Sequence, residues 1–332
     1  MQKTFAKYQT PVLLSVLIVA VTAVTVLAGS SPSAVTEMLI RMIAVVGLYI
    51  FVGNSGIVSF GHIGFMCIGA YAAGWCTAQP MFKQMMLSGL PVFLQENQYP
   101  FPLALGLAIV LPMMVAWLLG VAIMRLSGMA AAIASFAFLM IVYSVYSNWD
   151  SVTAGVSTIV GIPKVVGPWT AFGFSVLAIF IAWLFQNSRY GLLLKACRDD
   201  AVAAQASAVH LRRMRLIAFV LSAGVTGLAG GLYAQFLGLL AVESFYLTLT
   251  FTVIAMLVVG GMSSLTGAVI GVLAVTSVIE LLRALEGGVQ VSTVTLALPL
   301  GSQEIGLGIL LACALIFRPS GLTGGHELRI LR

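Results

Sequence analysis

Few residues in this sequence are of a type that does chemistry, and they gather in three stretches. Asn54, Ser55, Ser59 and His62 fall in GNSGIVSFGHIGFMCIGAYAAG, residues 53–74. Ser263 and Ser264 fall in VVGGMSSLTGAVIGV, residues 258–272. Lys195, Arg198, Asp199 and Asp200 stand with Ala203 and Ala204 in RYGLLLKACRDDAVAAQASAVHLRRMRL, residues 189–216. The first two stretches offer neutral donors and acceptors, suited to hydrogen bonding a polar solute rather than to making bonds. The third offers paired charges among small side chains, suited to charge-guided contact with another protein. No GxxxxGK[ST], HExxH or GxSxG pattern occurs, so neither ATP binding by a phosphate loop nor a hydrolytic site is indicated. Cys67, Cys76, Cys197 and Cys313 are scattered, with no CxxC and no His at ligand spacing. They read as small packing residues, and no metal or cofactor is expected.

The elements that must position these residues are membrane helices. The chain has 332 residues, 61% hydrophobic and 8% charged. A soluble domain carries about 25% charged residues. Apolar runs such as Pro11–Ala28 and Leu103–Met124 are long enough to cross ~30 Å of hydrocarbon. The net charge of +6 is then a topology signal rather than a sign of nucleic acid. The basic opening MQKTFAKYQT, the apolar run and AGSSPSA outline a signal peptide. The 18-residue run exceeds the usual core of about 7–15, so an uncleaved first helix is expected.

Ten apolar segments are read, at about 11–28, 34–52, 60–79, 101–124, 129–147, 169–187, 215–238, 248–261, 264–282 and 305–318. The expected fold is an all-α polytopic bundle of about ten transmembrane helices, a single domain over 1–332 with broken glycine-rich segments. With the N-terminus inside, Lys3, Lys7, Arg125, Arg189, Lys195, Arg198, Arg212, Arg213, Arg215, Arg318, Arg329 and Arg332 fall on the cytoplasmic side. Lys83, Lys164 and Arg283 fall outside, and Arg41 lies within a span. That bias has the expected sign. Long connections at about 80–100 and 148–168 lie outside, and one at about 188–214 lies inside.

Gly53, Gly56, Gly61 and Gly64 make a poor continuous helix, since each interior Gly costs about 1 kcal/mol relative to Ala. A broken or re-entrant segment is expected there. Non-helical backbone at membrane depth must be buried in protein or line a water-filled cavity. Asn54, Ser55, Ser59 and His62 are therefore candidates for a permeation path, or for an inner turn whose polar groups satisfy one another. His62 alone reads as a hydrogen-bonding residue rather than a titrating gate. Ser263 and Ser264 hold the corresponding place in a second turn of similar style, as in an internal repeat. The Gly227/Gly231 and Gly267/Gly271 pairs read as close helix packing. Glu37 and Arg41 share a helix face and can pair. Glu280, Arg283 and Glu286 near another outer end read the same way. Lys195, Arg198 and Asp199 share a face in an alanine-rich helix without a strong apolar stripe. Those residues fit a dock on a partner and a solvated connector alike. Carboxylates inside spans are few, which disfavours a self-sufficient ion-coupled carrier. An intramembrane enzyme would need reactive groups gathered at one depth, and none gather.

Four blocks in order give the chain a family likeness. GNSGIVSFGHIGFMCIGAY, VTAGVSTIVGIP, RYGLLLKACRDDAVAAQ with its following helix, and VVGGMSSLTGAVIG with FRPSGLTG resemble the blocks of LivM-type permease subunits of branched-chain amino acid ABC transporters, from about residue 35 to 324. The resemblance implies a permease that supplies the path while partners hydrolyse ATP. Those partners are a second permease subunit, two ATP-binding subunits and a periplasmic binding protein, with a small amino acid as substrate and lipid around the bundle. It implies ATPase coupling through Lys195, Arg198, Asp199, Asp200, Ala203 and Ala204, and an inner-membrane location with both termini cytoplasmic. Relatives handling urea or short amides remain an alternative. Ile57, Ala208 and Arg215 depart from the family's usual Gln, Gly and Lys, and Ala208 puts a left-handed turn there in doubt.

Overall fold

The structure, a computed structural model, describes residues 2–27, 31–286, 289–291, 294–296, 299, 301–318 and 320–328. The side chains of Lys3 and Lys7, the cleavage-like residues 28–30, and Arg329 and Arg332 lie outside the described residues. In chain order the helices are α1 (Gln2–Leu27), α2 (Pro32–Ser55), α3 (His62–Thr77), α4 (Pro80–Met86), α5 (Val92–Glu96), α6 (Phe101–Ile123), α7 (Met129–Asn148) and α8 (Asp150–Thr153). There follow α9 (Pro168–Asn187), α10 (Arg189–Asp199), α11 (Ala201–Ala206), α12 (Leu211–Leu237), a 3-10 turn (Val242–Phe245), α13 (Leu247–Gly260), α14 (Leu265–Glu286) and α15 (Ser302–Phe317). Every one of the ten apolar segments is a helix. Among the described residues, seven helices are long and apolar enough to span a membrane: α2, α6, α7, α9, α12, α14, and α13 taken with its 3-10 turn. α3 and α15, at 16 residues each, are shorter.

A small hairpin accompanies the helices without changing the all-α class. β1 (Val289–Val291) pairs antiparallel with β2 (Val294–Leu296), with Gln290 opposite Thr295. VQVSTVTL alternates β-branched and polar residues, a period-two signal between two helices. The connections at about 80–100 and 148–168 are also more ordered than loops, since they carry α4, α5 and α8.

Helix ends are set locally. The Ser31 hydroxyl accepts from the Ala34 amide at 3.4 Å, with Pro32 as first helical residue. Gly56, at φ +71°, closes α2 by donating its amide to the Val52 carbonyl at 2.9 Å. A left-handed residue suits that stop, and Gly adopts it without a Cβ clash. The chain therefore breaks at 56–61 and restarts as α3, as the glycine spacing predicts.

Helices α2 and α12 form the middle of the bundle. Of the α2 span 89% is buried, against 28% for α6 and for α7. The outward residues of those two helices, Trp117, Leu118, Ile133 and Ile141 among them, are apolar and exposed, as a lipid-facing surface requires. Inner contacts are backbone-close. A Cβ on Gly230 would lie 1.9 Å from the Met66 carbonyl oxygen, and one on Gly271 1.9 Å from that of Met256. Such approach supplies dispersion where lipid gives no hydrophobic drive. Gly227 and Gly231 seat α12 on Ala108 of α6, while Gly260, Gly267 and Gly271 lock α13 to α14. These pairs are packing surfaces.

Connections collect at two ends. At one, the Gln79 amide donates to Gly161, the Gly89 amide to Ser151, and the Trp75 indole to Val152. Ile159 and Leu240 form a backbone bridge there. Lys83 is fully buried at this end, donating to the carbonyls of Trp75, Leu94 and Asn97 at 3.2, 2.6 and 2.6 Å. Burial pushes its ammonium below the usual lysine range. At the other end lie the 56–61 turn, the α6–α7 turn, α10–α11, the α13–α14 turn and the final segment 320–328. The hydroxyl of Thr10 on α1 reaches the Leu328 carbonyl at 3.4 Å, so α1 begins at this end too.

Candidate functional site

The charged stretch is two helices with a bend, not one. Ser188 caps α10, accepting from the Gly191 amide at 3.2 Å. Asp200 ends α10 and starts α11, its carboxylate accepting from the amides of Val202 and Ala203 at 2.9 and 3.0 Å. α10 also has an inner stripe that the sequence reading passes over. Gly191, Leu194 and Cys197 are buried, and burial pushes the Cys197 thiol up. So α10 packs on its own bundle before it meets anything else. α11 ends at Ala208, at φ +61°. The Val209 amide donates to Ala204 and the Ala208 amide to Gln205, at 3.1 and 3.0 Å. That is the paired-bond stop usually given to Gly. The left-handed turn is present although the residue is Ala.

The residues on the shared face of Lys195, Arg198 and Asp199 turn different ways. Arg198 turns inward and donates to the Gly53 carbonyl at 2.7 Å. Its stem lies against Gly56, where a Cβ would meet Arg198 Cγ at 2.7 Å. Asp199 points out, with 71% of its side chain exposed, and its partner Arg198 is 3.4 Å away. Lys195 is half-buried: burial lowers its pKa, while the Glu327 carboxylate acts to raise it. Ala203 is exposed and Ala204 buried. Arg198 thus bolts the charged helix to the end of α2. Arg215 adds a second tie, donating to the Leu126 carbonyl in the α6–α7 turn at 3.3 Å.

The polar residues of the first glycine stretch are inside the protein. Asn54 is fully buried; its amide nitrogen donates to the Ile50 carbonyl at 2.9 Å, and its Oδ1 has no partner. Ser55 accepts from the Ile57 amide at 3.2 Å. Ser59 Oγ lies 2.8 Å from His62 Nδ1. The His62 ring stacks on Phe51 and meets Phe65 and Phe219 edge-on, and its Nε2 has no partner. Ser135 of α7 accepts from the Phe60 amide at 3.1 Å. These groups largely satisfy one another and the nearby backbone.

The second stretch meets the first. A Cβ on Gly53 would lie 2.7 Å from the Met262 carbonyl oxygen. Ser263 lines a cavity of about 190 Å³ together with Val52, Gly53, Gly56, Val58, Arg198 and Met262. Ser264 is fully buried and caps α14, accepting from the Gly267 amide at 3.0 Å and meeting Thr323 Oγ1 at 3.0 Å. So the structure brings Gly53, Arg198 and Ser263 together, while Asn54, Ser59 and His62 are buried, with His62 among aromatic rings.

Sequence reasoning missed three residues at this end. Glu327 accepts from the amides of Leu265 and Thr266 and from the Thr266 hydroxyl at 2.9, 3.2 and 2.8 Å. Tyr49 donates to Gln186 at 2.7 Å, joining α2 to α9 in the core. A Glu near the chain end and a Gln and Tyr inside apolar helices give no spacing signal; a buried polar group needing a partner is the only hint. Elsewhere the expected pairs form: Arg41 bonds Glu37, and Arg283 bonds Glu280 at 2.8 Å. Glu286 instead caps α15 through Gln303. Among the described residues no cluster of His, Cys, Asp or Glu suits a metal.

A family model described as "Branched-chain amino acid transport system / permease component" matches residues 30–312. The high-affinity branched-chain amino acid transport system permease protein LivM of Salmonella typhimurium is 26% identical over 347 aligned positions, which cover 93% of this chain and 74% of the relative. LivM of Escherichia coli matches with the same identity and coverage. No solved structure matches the chain.

Proposed function

The chain belongs to the branched-chain amino acid transport permease family, and from that premise we propose that it is the permease subunit of an ATP-driven importer of branched-chain amino acids. It is a multi-pass membrane protein. The reading places it in the bacterial inner membrane, with the α10–α11 end and both termini in the cytoplasm. The positive residues Arg125, Arg189, Lys195, Arg198, Arg212 and Arg213 at that end support this orientation.

One observation carries the mechanism: the surface helix α10 is tied to the end of α2 by Arg198 and Gly53. In this reading two ATP-binding subunits close on ATP beneath the permease and push α10–α11. Asp199 and Ala203, both exposed, face the ATPase. Asp200 holds the bend, Ala204 seats α11, and Lys195 and Arg198 pass the push inward. Arg215 carries it to the α6–α7 turn. ATP shifts the permease only because the push differs between its two conformations. Parting of the two glycine turns then presents Asn54, Ser55, Ser59, His62, Ser263 and Ser264 to an amino acid entering between this chain and a second permease. A periplasmic binding protein delivers that amino acid at the opposite end, over the welded 80–100 and 148–168 connections. The permease itself hydrolyses nothing.

The test is reconstitution in proteoliposomes with ATPase subunits and binding protein. ATP-dependent leucine uptake is expected, and Asp199→Lys should lose most of that uptake while still inserting. Leucine uptake by the purified chain alone under an ion gradient would overturn the reading in favour of a secondary carrier.

A further inference from the structure

Two cavities share the 56–58 backbone, since Gly56 and Val58 line both. One, of about 690 Å³, is walled by apolar side chains, Phe60, Met129, Phe136 and Phe251 among them. The other, of about 190 Å³, is the one that Arg198 and Ser263 line. It is smaller than the about 300–1,000 Å³ of pockets that take drug-sized ligands, and so suits a solute of amino-acid size.

The small cavity has two kinds of wall. Val52, Val58 and Met262 are apolar, while Arg198 and Ser263 add a cation and a hydroxyl. No carboxylate lines it. The guanidinium spends Nη1 on the Gly53 carbonyl at 2.7 Å and Nε on Asp199 at 3.4 Å. Asp199 is 71% exposed, so water weakens that pair. Among the described residues, Arg198 Nη2 and the Ser263 hydroxyl have no hydrogen-bond partner. A guanidinium with an open donor suits a carboxylate. Both groups are held by glycine contacts. Gly56 admits the Arg198 stem, and Gly325, at φ +79°, lies so close to Ser263 that a Cβ would fall 2.6 Å from its Oγ.

We propose that this cavity is a product site for a branched aliphatic amino acid. The carboxylate rests on Arg198 and Ser263, and the side chain rests against Val52, Val58 and Met262. Such a solute joins α10, the end of α2 and the α13–α14 turn. Transport in the importer reading requires the two glycine turns to part. A solute that binds the joined turns better than the parted ones favours the joined state. Amino acid accumulating in the cytoplasm therefore slows the transporter that brought it in.

The inference rests on the importer reading for the identity of the solute and for the side from which it enters. The first measurement is a calorimetric titration of the transporter complex in nanodiscs, without the binding protein, which would itself take up leucine. The probes are L-leucine, isovalerate, leucinamide and inorganic phosphate. Leucine and isovalerate should bind. Leucinamide lacks the carboxylate and phosphate lacks the apolar tail, and each should bind about ten-fold more weakly or worse. Ser263→Ala should weaken leucine about three- to ten-fold, and Val58→Trp, which fills the cavity and leaves Arg198 in place, should abolish binding. The second measurement is ATP-driven uptake by proteoliposomes preloaded with leucine, each rate referred to the same protein without luminal leucine. Luminal leucine should slow the wild type about five-fold or more and leave the Val58→Trp ratio at one. Leucinamide or phosphate binding as tightly as leucine, or leucine binding unchanged in both variants, would overturn the site. Wild-type uptake indifferent to luminal leucine would overturn the product role. Absence of any ATP-driven uptake would instead overturn the importer reading, with the titration still deciding the site.

Discussion

Ala208 holds φ +61° at the end of α11, a conformation that costs a residue with a Cβ about 1 kcal/mol. Ala208→Gly should stabilise the turn by about 1 kcal/mol, raising the thermal midpoint of the detergent-purified protein without changing uptake. Asp200 gives the opposite case. Its carboxylate caps α11, so Asp200→Ala should destabilise by about 1 kcal/mol and loosen the bend, read as faster hydrogen exchange over 201–206. At this scale residue type was legible and partnership was not. The spacing of Lys195, Arg198 and Asp199 puts them on one helix face, but no sequence rule says that Arg198 turns to a carbonyl 145 positions away. Lys83 reads as an ordinary outer cation, yet three carbonyls enclose it. Its partners come from backbone, which carries no residue signature.

Helix existence was legible because a lipid-crossing segment must be apolar along its whole length. Boundaries at glycine were legible too, since Gly56 stops α2 where the spacing predicts a break. Depth was not. The α3 segment looks like any other span, yet it is enclosed by protein along nearly all its length. Its packing against α12 depends on Gly230 and Gly69, which meet backbone atoms. Gly230→Leu should therefore cost several kcal/mol, with ~1–3 kcal/mol for even modest overpacking, and should appear as loss of folded protein in size-exclusion chromatography. Gly106, which meets nothing within 4 Å, should accept Ala with no loss. The contrast separates glycine used for approach from glycine that is merely present. The α10 stripe of Gly191, Leu194 and Cys197 escaped notice because charged neighbours outnumber it and glycine carries no hydrophobic weight.

For the whole molecule, charge bias divided the connections into two ends, and the hydrogen bonds gather them in the same division. Which helix is tied to which turn lies beyond any composition argument, because it depends on a few long-range bonds. Arg198→Lys tests the main one. Lysine keeps the charge but not the planar fork, so uptake per ATP should fall several-fold while insertion stays normal. The Lys83 cage has a practical consequence for mapping the two faces in cells. Amine-acylating reagents attack the free base of an accessible lysine. Lys164 is exposed at the Lys83 end, so with the proposed orientation an impermeant reagent added from the periplasm should modify it. Lys83 has no exposed surface and gives its ammonium protons to three carbonyls, so it should stay unmodified from either side until the chain is unfolded. A silent Lys83 in such a footprint therefore reports an intact cage and says nothing about sidedness, and its sudden reactivity would be a direct chemical signal that the outer cap has come apart.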